Sequence, residues 1–195
     1  MGSSTMALFA ETGAYLRGHF RLTSGLHSGE YLQCAKVLAY PAYAERLGQA
    51  LAQRLRPVLE GATVTVVSAP AMGGLIIGHE VARAFGVPFL FSERDAATNE
   101  MTVRRGFSFK PEDRAVVIED VVTTGGSTRE VIRLLRQAGV EVLAAGSIID
   151  RSNGSADVGA PRVALEQVEV VAYKPEDCPL CRQGLPLVKP GSKRV

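Results

Sequence analysis

One stretch of the sequence decides the fold: Val116-Val117-Ile118-Glu119-Asp120-Val121-Val122-Thr123-Thr124-Gly125-Gly126-Ser127-Thr128. The short apolar run at residues 115–118, rich in β-branched side chains, is typical of a fully buried strand. The apolar spacing of residues 129–139 predicts an amphipathic helix. The turn between them therefore lies at the carboxyl end of a strand. Open parallel sheets bind ligands at this edge, where a helix N-terminus presents free N–H groups to an anion.

The residue types of this turn suit a sugar phosphate. Gly125 and Gly126 lack a Cβ, so they accept a positive φ and let backbone amides approach phosphate oxygens. Hydroxyl side chains add further donors, from Thr123, Thr124, Ser127 and Thr128. The ionised carboxylates of Glu119 and Asp120 only accept hydrogen bonds, so they suit ribose hydroxyls or a magnesium shell better than phosphate. The stretch predicts a site that holds a ribose phosphate.

The residues alone leave simpler explanations open. A strand, a Gly-Gly turn and a capped helix occur in many α/β proteins that bind no ligand there, and Glu119 with Asp120 could be a solvated pair. Two nucleotide-binding motifs are absent, because no Gly-Lys-Ser/Thr follows four variable residues and no Gly-x-Gly-x-x-Gly occurs here. Nucleotide triphosphate and dinucleotide sites are therefore disfavoured.

Elements on either side of this stretch alternate along the chain. Helices are predicted at residues 8–17, 41–59 and 73–85, and strands at residues 64–68, 88–91 and 142–149. Such alternation implies right-handed crossovers and a parallel sheet flanked by helices. Short strands at residues 163–165 and 168–173 are expected later, in a small cap formed with the amino-terminal segment. The 195 residues fit a single α/β domain.

The decisive stretch resembles the phosphoribosyl pyrophosphate motif of the type I phosphoribosyltransferases, in which hydrophobic residues precede two acids and a Thr/Gly/Ser phosphate loop. Two further segments resemble the orotate-using branch of that family. Phe20-Arg21-Leu22-Thr23-Ser24-Gly25-Leu26-His27-Ser28 resembles its amino-terminal substrate segment. Asp150-Arg151 follows an apolar strand at the place where the branch keeps an orotate-binding arginine. The resemblance covers nearly the whole chain.

The resemblance implies transfer of ribose 5-phosphate from phosphoribosyl pyrophosphate to orotate, giving orotidine 5'-monophosphate and pyrophosphate in pyrimidine biosynthesis. It implies Mg²⁺ bound mainly through substrate oxygens, with no protein ligand assigned. For phosphoribosyl pyrophosphate it designates Glu119, Asp120, Val121, Val122, Thr123, Thr124, Gly125, Gly126, Ser127 and Arg94. For orotate it designates Thr123, Arg151, Thr23 and Ser24. For catalysis it designates Asp120 and Arg94.

The segment at residues 92–109 is expected to be the most mobile, with a hairpin arm at residues 101–107. In the resembling family a loop here closes over the pyrophosphate, often from the neighbouring subunit of a dimer. The resemblance thus implies a homodimer whose loop 92–109 acts across the interface. Arg94 matches the start of that loop's basic signature, but the later lysine and histidine have no counterpart. Arg104 and Arg105 are alternative cations for the clamp, or solvated residues of the hairpin.

A second turn, at residues 68–74, also follows a predicted strand and opens a helix, so its amides could face another phosphate group. It resembles the pyrophosphate loop of the family. Many members carry an aromatic residue and a lysine where this chain has Met72 and Gly73, so only backbone contacts are expected here. Close helix–strand packing is the alternative explanation.

Charge and hydropathy exclude several classes of protein. The 22 Lys and Arg residues against 20 acids give a net charge of +2, so no global field favours nucleic acid or membrane. No apolar run reaches the roughly 18 residues of a membrane span, and no secretory signal pattern is present, so we expect a cytoplasmic protein. Residues 1–5 are expected to be disordered or a cloning remnant, and residues 189–195 a loose tail.

The cysteines and histidines are given no catalytic role. Cys178 and Cys181 form one Cys-x-x-Cys without a nearby histidine, which predicts a tight turn with two reduced thiols. A half-site for metal, shared across a symmetric dimer, is the alternative. The histidines, at positions 19, 27 and 79, show no metal spacing and are expected to be partly exposed and hydrogen-bonded.

Three other functions compete. A type I phosphoribosyltransferase acting on a purine or another pyrimidine would share the ribose phosphate motif. A regulator that binds phosphoribosyl pyrophosphate would also share it, but the chain has no separate helix-turn-helix domain and no basic face. A plain α/β interaction domain leaves the carboxylate pair beside the phosphate loop unexplained.

Overall fold

The computed structural model describes residues 4–22 and 24–190. They form two compact units, one of residues up to Val37 and from Glu169 onward, the other of residues Leu38–Val168. The helices are α1 (Thr5–Glu11), α2 (Cys34–Leu38), α3 (Pro41–Leu55), α4 (Gly74–Phe85), α5 (Gly126–Gln137) and α6 (Pro179–Arg182), with a 3₁₀ turn at Pro175–Asp177. The strands are β1 (Tyr15–Arg21), β2 (His27–Leu32), β3 (Val66–Pro70), β4 (Phe89–Arg94), β5 (Met101–Val103), β6 (Arg114–Val122), β7 (Glu141–Asp150), β8 (Arg162–Gln167) and β9 (Ala172–Tyr173).

The larger unit is built on a six-stranded sheet in the order β5-β4-β3-β6-β7-β8. All neighbours pair in parallel except β4 and β5, so the predicted α/β class with a parallel sheet is confirmed. Strand β6 is longer than the predicted 115–118. It runs through both carboxylates because its pairing with β7 continues to the partners Val122 and Asp150.

Helices cover both faces of this sheet. Val117 belongs to a buried cluster with Val131 and Leu135 of α5. On the opposite face, Gly146 leaves room for Ile118 and for Leu51 of α3, whose nearest atoms would lie 3.2 and 3.3 Å from a Cβ at that glycine. Alternate residues of β6 therefore enter different halves of the core, as expected for a strand buried on both faces.

The smaller unit joins the amino-terminal segment to the carboxy-terminal region in an antiparallel sheet of order β1-β2-β9, as predicted for these two parts of the chain. The prediction that the strand at residues 163–165 belongs to this cap is wrong, because β8 pairs with β7 in the larger sheet, and the strand predicted at residues 168–173 is reduced to β9. The helix predicted at residues 8–17 is wrong in its second half. Helix α1 ends at Glu11, and Gly13 then takes a φ of 61° before β1 begins. Apolar spacing did not reveal this turn.

The chain ends differ in part from the expectation. Ser4 and Thr5, which were grouped with the disordered terminus, begin the first helix, and Ser4 Oγ accepts a hydrogen bond from the Ala7 N–H. Residues 1–3 and 191–195 lie outside the described residues. Within the described part, no helix combines the length and apolarity that a membrane crossing would need.

Candidate active site

The turn between β6 and α5 has a geometry that requires glycine. Gly125 precedes α5 with a φ of 74°, and a Cβ placed on it would lie 2.7 Å from Val158 Cγ1. Its carbonyl accepts the N–H of Arg129 at 2.9 Å, which starts the helical hydrogen bonds. The N–H groups of the first turn of α5 consequently lack carbonyl partners within the helix and are available to an anion.

A cavity of about 200 Å³ opens at this turn. Its wall brings together most of the residues predicted to bind phosphoribosyl pyrophosphate: Arg94, Glu119, Val121, Val122, Thr123, Thr124, Gly125, Gly126 and Ser127, together with Thr128 and Glu130. The cavity therefore combines backbone amides, hydroxyls, carboxylates and a guanidinium at the carboxyl edge of the sheet. Such a set can hold an anion and vicinal hydroxyl groups at the same time.

The two carboxylates at the end of β6 differ in environment. Glu119 is buried, whereas Asp120 is half-buried. Burial, and then the neighbouring charge of Asp120, raise the pKa of Glu119 well above its ordinary value. The Asp120 N–H donates to Glu119 Oε1 at 3.1 Å, and the Val121 N–H donates to Asp120 Oδ1 at 2.8 Å. Glu119 is therefore neutral over a wider pH range than an exposed glutamate.

The second predicted loop lies against Asp120. A Cβ on Gly73 would come within 2.5 Å of Asp120 Oδ1, and one on Gly74 within 2.9 Å of the Ile118 carbonyl oxygen. The loop contains a cis peptide bond between Ala71 and Met72, and Met72 is 80% exposed. The Gly-Gly pair had two explanations, amides that face a phosphate group and close packing of a helix on a strand. The start of α4 at this pair agrees with the first explanation, and the close packing of α4 on β6 agrees with the second.

Arg94 and the two later arginines take different positions. Arg94 ends β4 and lines the cavity, where its guanidinium contacts Glu130 Oε2 at 2.7 Å and donates to the Asn99 carbonyl at 2.9 Å. Arg105 bonds to Glu93 at 2.9 Å, and Arg104 approaches Glu93 and Asp95 at 3.9 and 3.8 Å. Both follow β5, at the base of the hairpin that β4 and β5 form, and neither lines the cavity.

Arg151 follows β7 beside the phosphate turn. Its N–H donates to the Val122 carbonyl at 2.8 Å, which places it next to the end of β6. The preceding Asp150 is buried and binds Arg162 at 2.9 Å, the Ser152 N–H at 2.8 Å and the Gly154 N–H at 3.0 Å. Burial raises the pKa of Asp150, but the Ser152, Arg162 and Gly154 donors outweigh it and the net shift is downward.

Two positioning residues were missed by sequence reasoning. Glu130 holds Arg94, and nothing in the local sequence signals a contact between a helix and the end of a distant strand. Asp150 anchors the turn that carries Arg151. The sequence did contain a signal for this role, because an aspartate followed two residues later by a serine is typical of a turn stabilised by side-chain hydrogen bonds, here between Ser152 and Asp150.

Other predicted residues lie in the smaller unit. Ser24 is exposed in the turn between β1 and β2, and Thr23 lies outside the described residues. Cys178 precedes α6 and Cys181 lies within it. The expected partial exposure of the histidines is wrong for two of them, because His19 and His27 are 3% and 6% exposed. His79, on α4, is exposed.

Comparison with known proteins gives one consistent family. The family model "Phosphoribosyl transferase domain" matches residues 34–178. An orotate phosphoribosyltransferase of Pelotomaculum thermopropionicum is 54% identical over 190 residues, which are 97% of each chain. The crystal structure of orotate phosphoribosyltransferase from Aeropyrum pernix is similar with a TM-score of 0.66 at 26% identity, over 84% of this chain and 93% of that one. Adenine phosphoribosyltransferase of Saccharomyces cerevisiae, at 16% identity, has a TM-score of 0.65 over 83% of this chain and 99% of that one, a likeness of fold alone.

Proposed function

This chain belongs to the phosphoribosyl transferase domain family and, within it, to the orotate phosphoribosyltransferases, and we propose that it transfers ribose 5-phosphate from phosphoribosyl pyrophosphate to orotate. The products are orotidine 5'-monophosphate and pyrophosphate, so the enzyme serves pyrimidine biosynthesis. One observation carries the proposal: the glycine turn before α5 and the carboxyl group of Glu119 line one cavity, and Asp120 follows Glu119 in β6. This combination suits a phosphorylated ribose better than a nucleotide triphosphate.

The turn accounts for the 5'-phosphate. Amides from residues 124–127 and the hydroxyls of Thr123, Thr124 and Ser127 surround the cavity at the positive end of α5. Three phosphate oxygens accept hydrogen bonds from such donors, and no side-chain cation is needed for this group. Gly125 is needed at this turn because its φ is positive and any side chain there would meet Val158.

The carboxylates account for the ribose. Asp120 accepts hydrogen bonds from the sugar hydroxyls and favours the positive charge that develops at C1' as its bond to pyrophosphate breaks and its bond to the orotate nitrogen forms. Burial raises the pKa of Glu119, and in its protonated form the carboxyl group can both donate to and accept from a hydroxyl. Arg94 lies in the same cavity and can exchange its contact with Glu130 for a departing phosphate oxygen.

Mg²⁺ fits this donor set. The hard carboxylate oxygens of Asp120 follow the cavity-lining Glu119 in β6, and a magnesium ion needs few protein ligands when substrate oxygens supply the rest. Asp120 is the residue that would hold it. When bound, the ion neutralises charge on the pyrophosphate leaving group.

The orotate site is assigned to the space beside Arg151 and Thr123. The bond between the Arg151 N–H and the Val122 carbonyl holds the arginine beside the turn that receives ribose. A planar guanidinium can give two parallel hydrogen bonds to the carboxylate of orotate. Thr23 and Ser24 stay assigned to orotate by their resemblance to the family's substrate segment.

We also propose a homodimer in which loop 92–109 acts across the interface, in a cytoplasmic enzyme. Arg94 serves the cavity of its own chain, so the cross-subunit role falls to Arg104 and Arg105. Mixing Asp120→Asn protein with the Arg104→Ala/Arg105→Ala double variant tests this. Random dimers would place an intact site in half of the molecules, restoring up to about a quarter of the parent activity. Mixtures no more active than the better single variant would exclude the cross-subunit role.

A panel of bases tests the function itself. Purified protein, phosphoribosyl pyrophosphate and Mg²⁺ are incubated separately with orotate, uracil, adenine and hypoxanthine, and the nucleotide products are separated by chromatography. The proposal predicts a product from orotate only. Turnover of another base in place of orotate would establish a different phosphoribosyltransferase. Binding of phosphoribosyl pyrophosphate without any product would favour a regulator.

A further inference from the structure

Four potential metal ligands converge in the smaller unit. His19 comes from β1, His27 from β2, and Cys178 and Cys181 from the start of α6. Their ligand atoms, one per residue, all lie within 4.8 Å of one another. Three of the four residues are buried, and Cys181 lies at the surface edge.

The spacing of these atoms agrees with a tetrahedral zinc site. Zinc bonds of about 2.3 Å to sulfur and about 2.0 Å to nitrogen place neighbouring ligand atoms about 3.3 to 3.8 Å apart. His19 Nε2 lies 3.5 Å from Cys178 Sγ and 3.7 Å from Cys181 Sγ. His27 Nδ1 lies 3.2 Å from Cys181 Sγ and 3.0 Å from His19 Nε2. These four distances need shifts of only a few tenths of an ångström, and the remaining pairs, which lie within 4.8 Å, would close by at most about 1 Å when the metal binds.

The hydrogen bonding of His19 prepares one ligand. Its Nδ1 lies 2.8 Å from the Leu185 carbonyl oxygen, which can only accept, so Nδ1 carries the proton and Nε2 carries a lone pair. Metal-bound histidines usually make this second contact, which fixes the tautomer and the ring orientation.

Hydrogen bonds alone explain the cluster poorly. The His19 Nε2 lone pair can accept one hydrogen bond, yet His27 Nδ1 and the sulfurs of Cys178 and Cys181 all surround it. A cation shared by the four atoms satisfies all of them at once. Two thiolates and two neutral imidazoles around Zn²⁺ also give a net charge of zero, which suits a largely buried position.

We propose that His19, His27, Cys178 and Cys181 form a structural Zn²⁺ site. Four protein ligands leave no open position for water or substrate, so the ion has a structural role. It ties the amino-terminal hairpin to the carboxy-terminal segment within the smaller unit, joining parts of the chain that are far apart in sequence. The site requires no partner subunit, in contrast to the shared half-site considered from the Cys-x-x-Cys alone.

Metal content and cobalt spectroscopy test the proposal without recourse to activity. The full chain, purified without chelators and dialysed, should contain about one zinc ion per chain by mass spectrometry. Replacement by Co²⁺ should give the strong visible bands of tetrahedral cobalt and a thiolate-to-cobalt charge-transfer band. Chelation should lower the unfolding temperature of the parent.

Matched variants locate the site. Cys178→Ser and His27→Ala should lose the zinc and the cobalt bands, whereas Cys34→Ser and His79→Ala should keep both. Cys34 is buried like Cys178, and His79 is exposed on α4, but neither belongs to the cluster. If a ligand variant fails to fold, the parent spectrum still decides. Zinc at buffer background with no cobalt bands after reconstitution, a Cys178–Cys181 disulfide in its place, or unchanged metal content in Cys178→Ser would overturn the proposal.

Discussion

Gly73 faces Asp120 so closely that a Cβ on the glycine would lie 2.5 Å from Asp120 Oδ1. Gly73 has a helical φ of −59°, so the glycine is required by this contact and not by its backbone conformation. The loop before α4 thereby fixes the space in which the carboxylate of Asp120 can lie.

Gly73→Ala should consequently displace Asp120. We expect kcat to fall by about 100-fold, because a shift of about 1 Å in a reacting group costs that much. Steady-state kinetics with both substrates check this, with Gly29→Ala as the control, since its Cβ would meet Leu180 at an ordinary 3.8 Å. A kcat for Gly73→Ala equal to that of the parent would contradict the catalytic role assigned to Asp120.

Gly125→Ala tests the phosphate turn. It forces a side chain onto a φ of 74° and against Val158, so we expect a stability loss above about 1 kcal/mol and a large loss of affinity for phosphoribosyl pyrophosphate. Gly86→Ala has a matching φ of 71° with open space around it, and should show the backbone cost alone. Denaturant unfolding and calorimetric titration separate the two effects. Equal substrate affinity in the two variants would contradict the assigned turn.

Glu119→Gln tests the neutral carboxyl. A raised pKa means that folded Glu119 holds its proton where the unfolded residue has lost it, so the free energy of unfolding falls as pH rises from the ordinary value toward the raised one. The variant should lose less stability than the parent as pH rises above the ordinary range of a glutamate pKa. The exposed Glu112→Gln, at the other end of β6, should follow the parent. Identical pH profiles for parent and Glu119→Gln would refute the shift.

Asp150→Asn tests the support of Arg151. Breaking the buried pair with Arg162 should cost about 3 kcal/mol, and the turn that carries Arg151 should loosen. Since the pKa of Asp150 is lowered, its contribution is present at neutral pH and is lost as pH falls below its ordinary range. We expect KM for orotate to rise more than KM for phosphoribosyl pyrophosphate. Asp113→Asn, which loses a turn-capping carboxylate at the other sheet edge, should leave both KM values unchanged.

The sequence predicted the local part of the site because that part is continuous in the chain. The strand, the acids, the Gly125 turn and the helix lie within residues 114–137, and their periodicities and turn residues agree with one another. The length of β6 was underestimated, since the acids of residues 119 and 120 interrupt the apolar run while pairing with β7 continues.

Contacts between distant parts of the chain were not predictable in the same way. The zinc-ligand cluster joins residues of β1 and β2 to α6, and no spacing rule connects histidines near one terminus to cysteines near the other. The Arg94–Glu130 contact depends on where the end of β4 lies relative to α5. The turn at Gly13 was hidden because apolar residues continue past the end of α1.

The loss of orotate absorbance in the presence of phosphoribosyl pyrophosphate and Mg²⁺ tests the central claim most directly. The parent and Arg133→Ala, which changes an exposed arginine on α5, should consume orotate and release one pyrophosphate for each. Arg151→Ala should be slower at low orotate by roughly 100-fold, since a charge-assisted hydrogen-bonded pair contributes about 2 to 3 kcal/mol. Orotate left untouched by the parent would contradict the proposed function, and a normal rate for Arg151→Ala would contradict the orotate site.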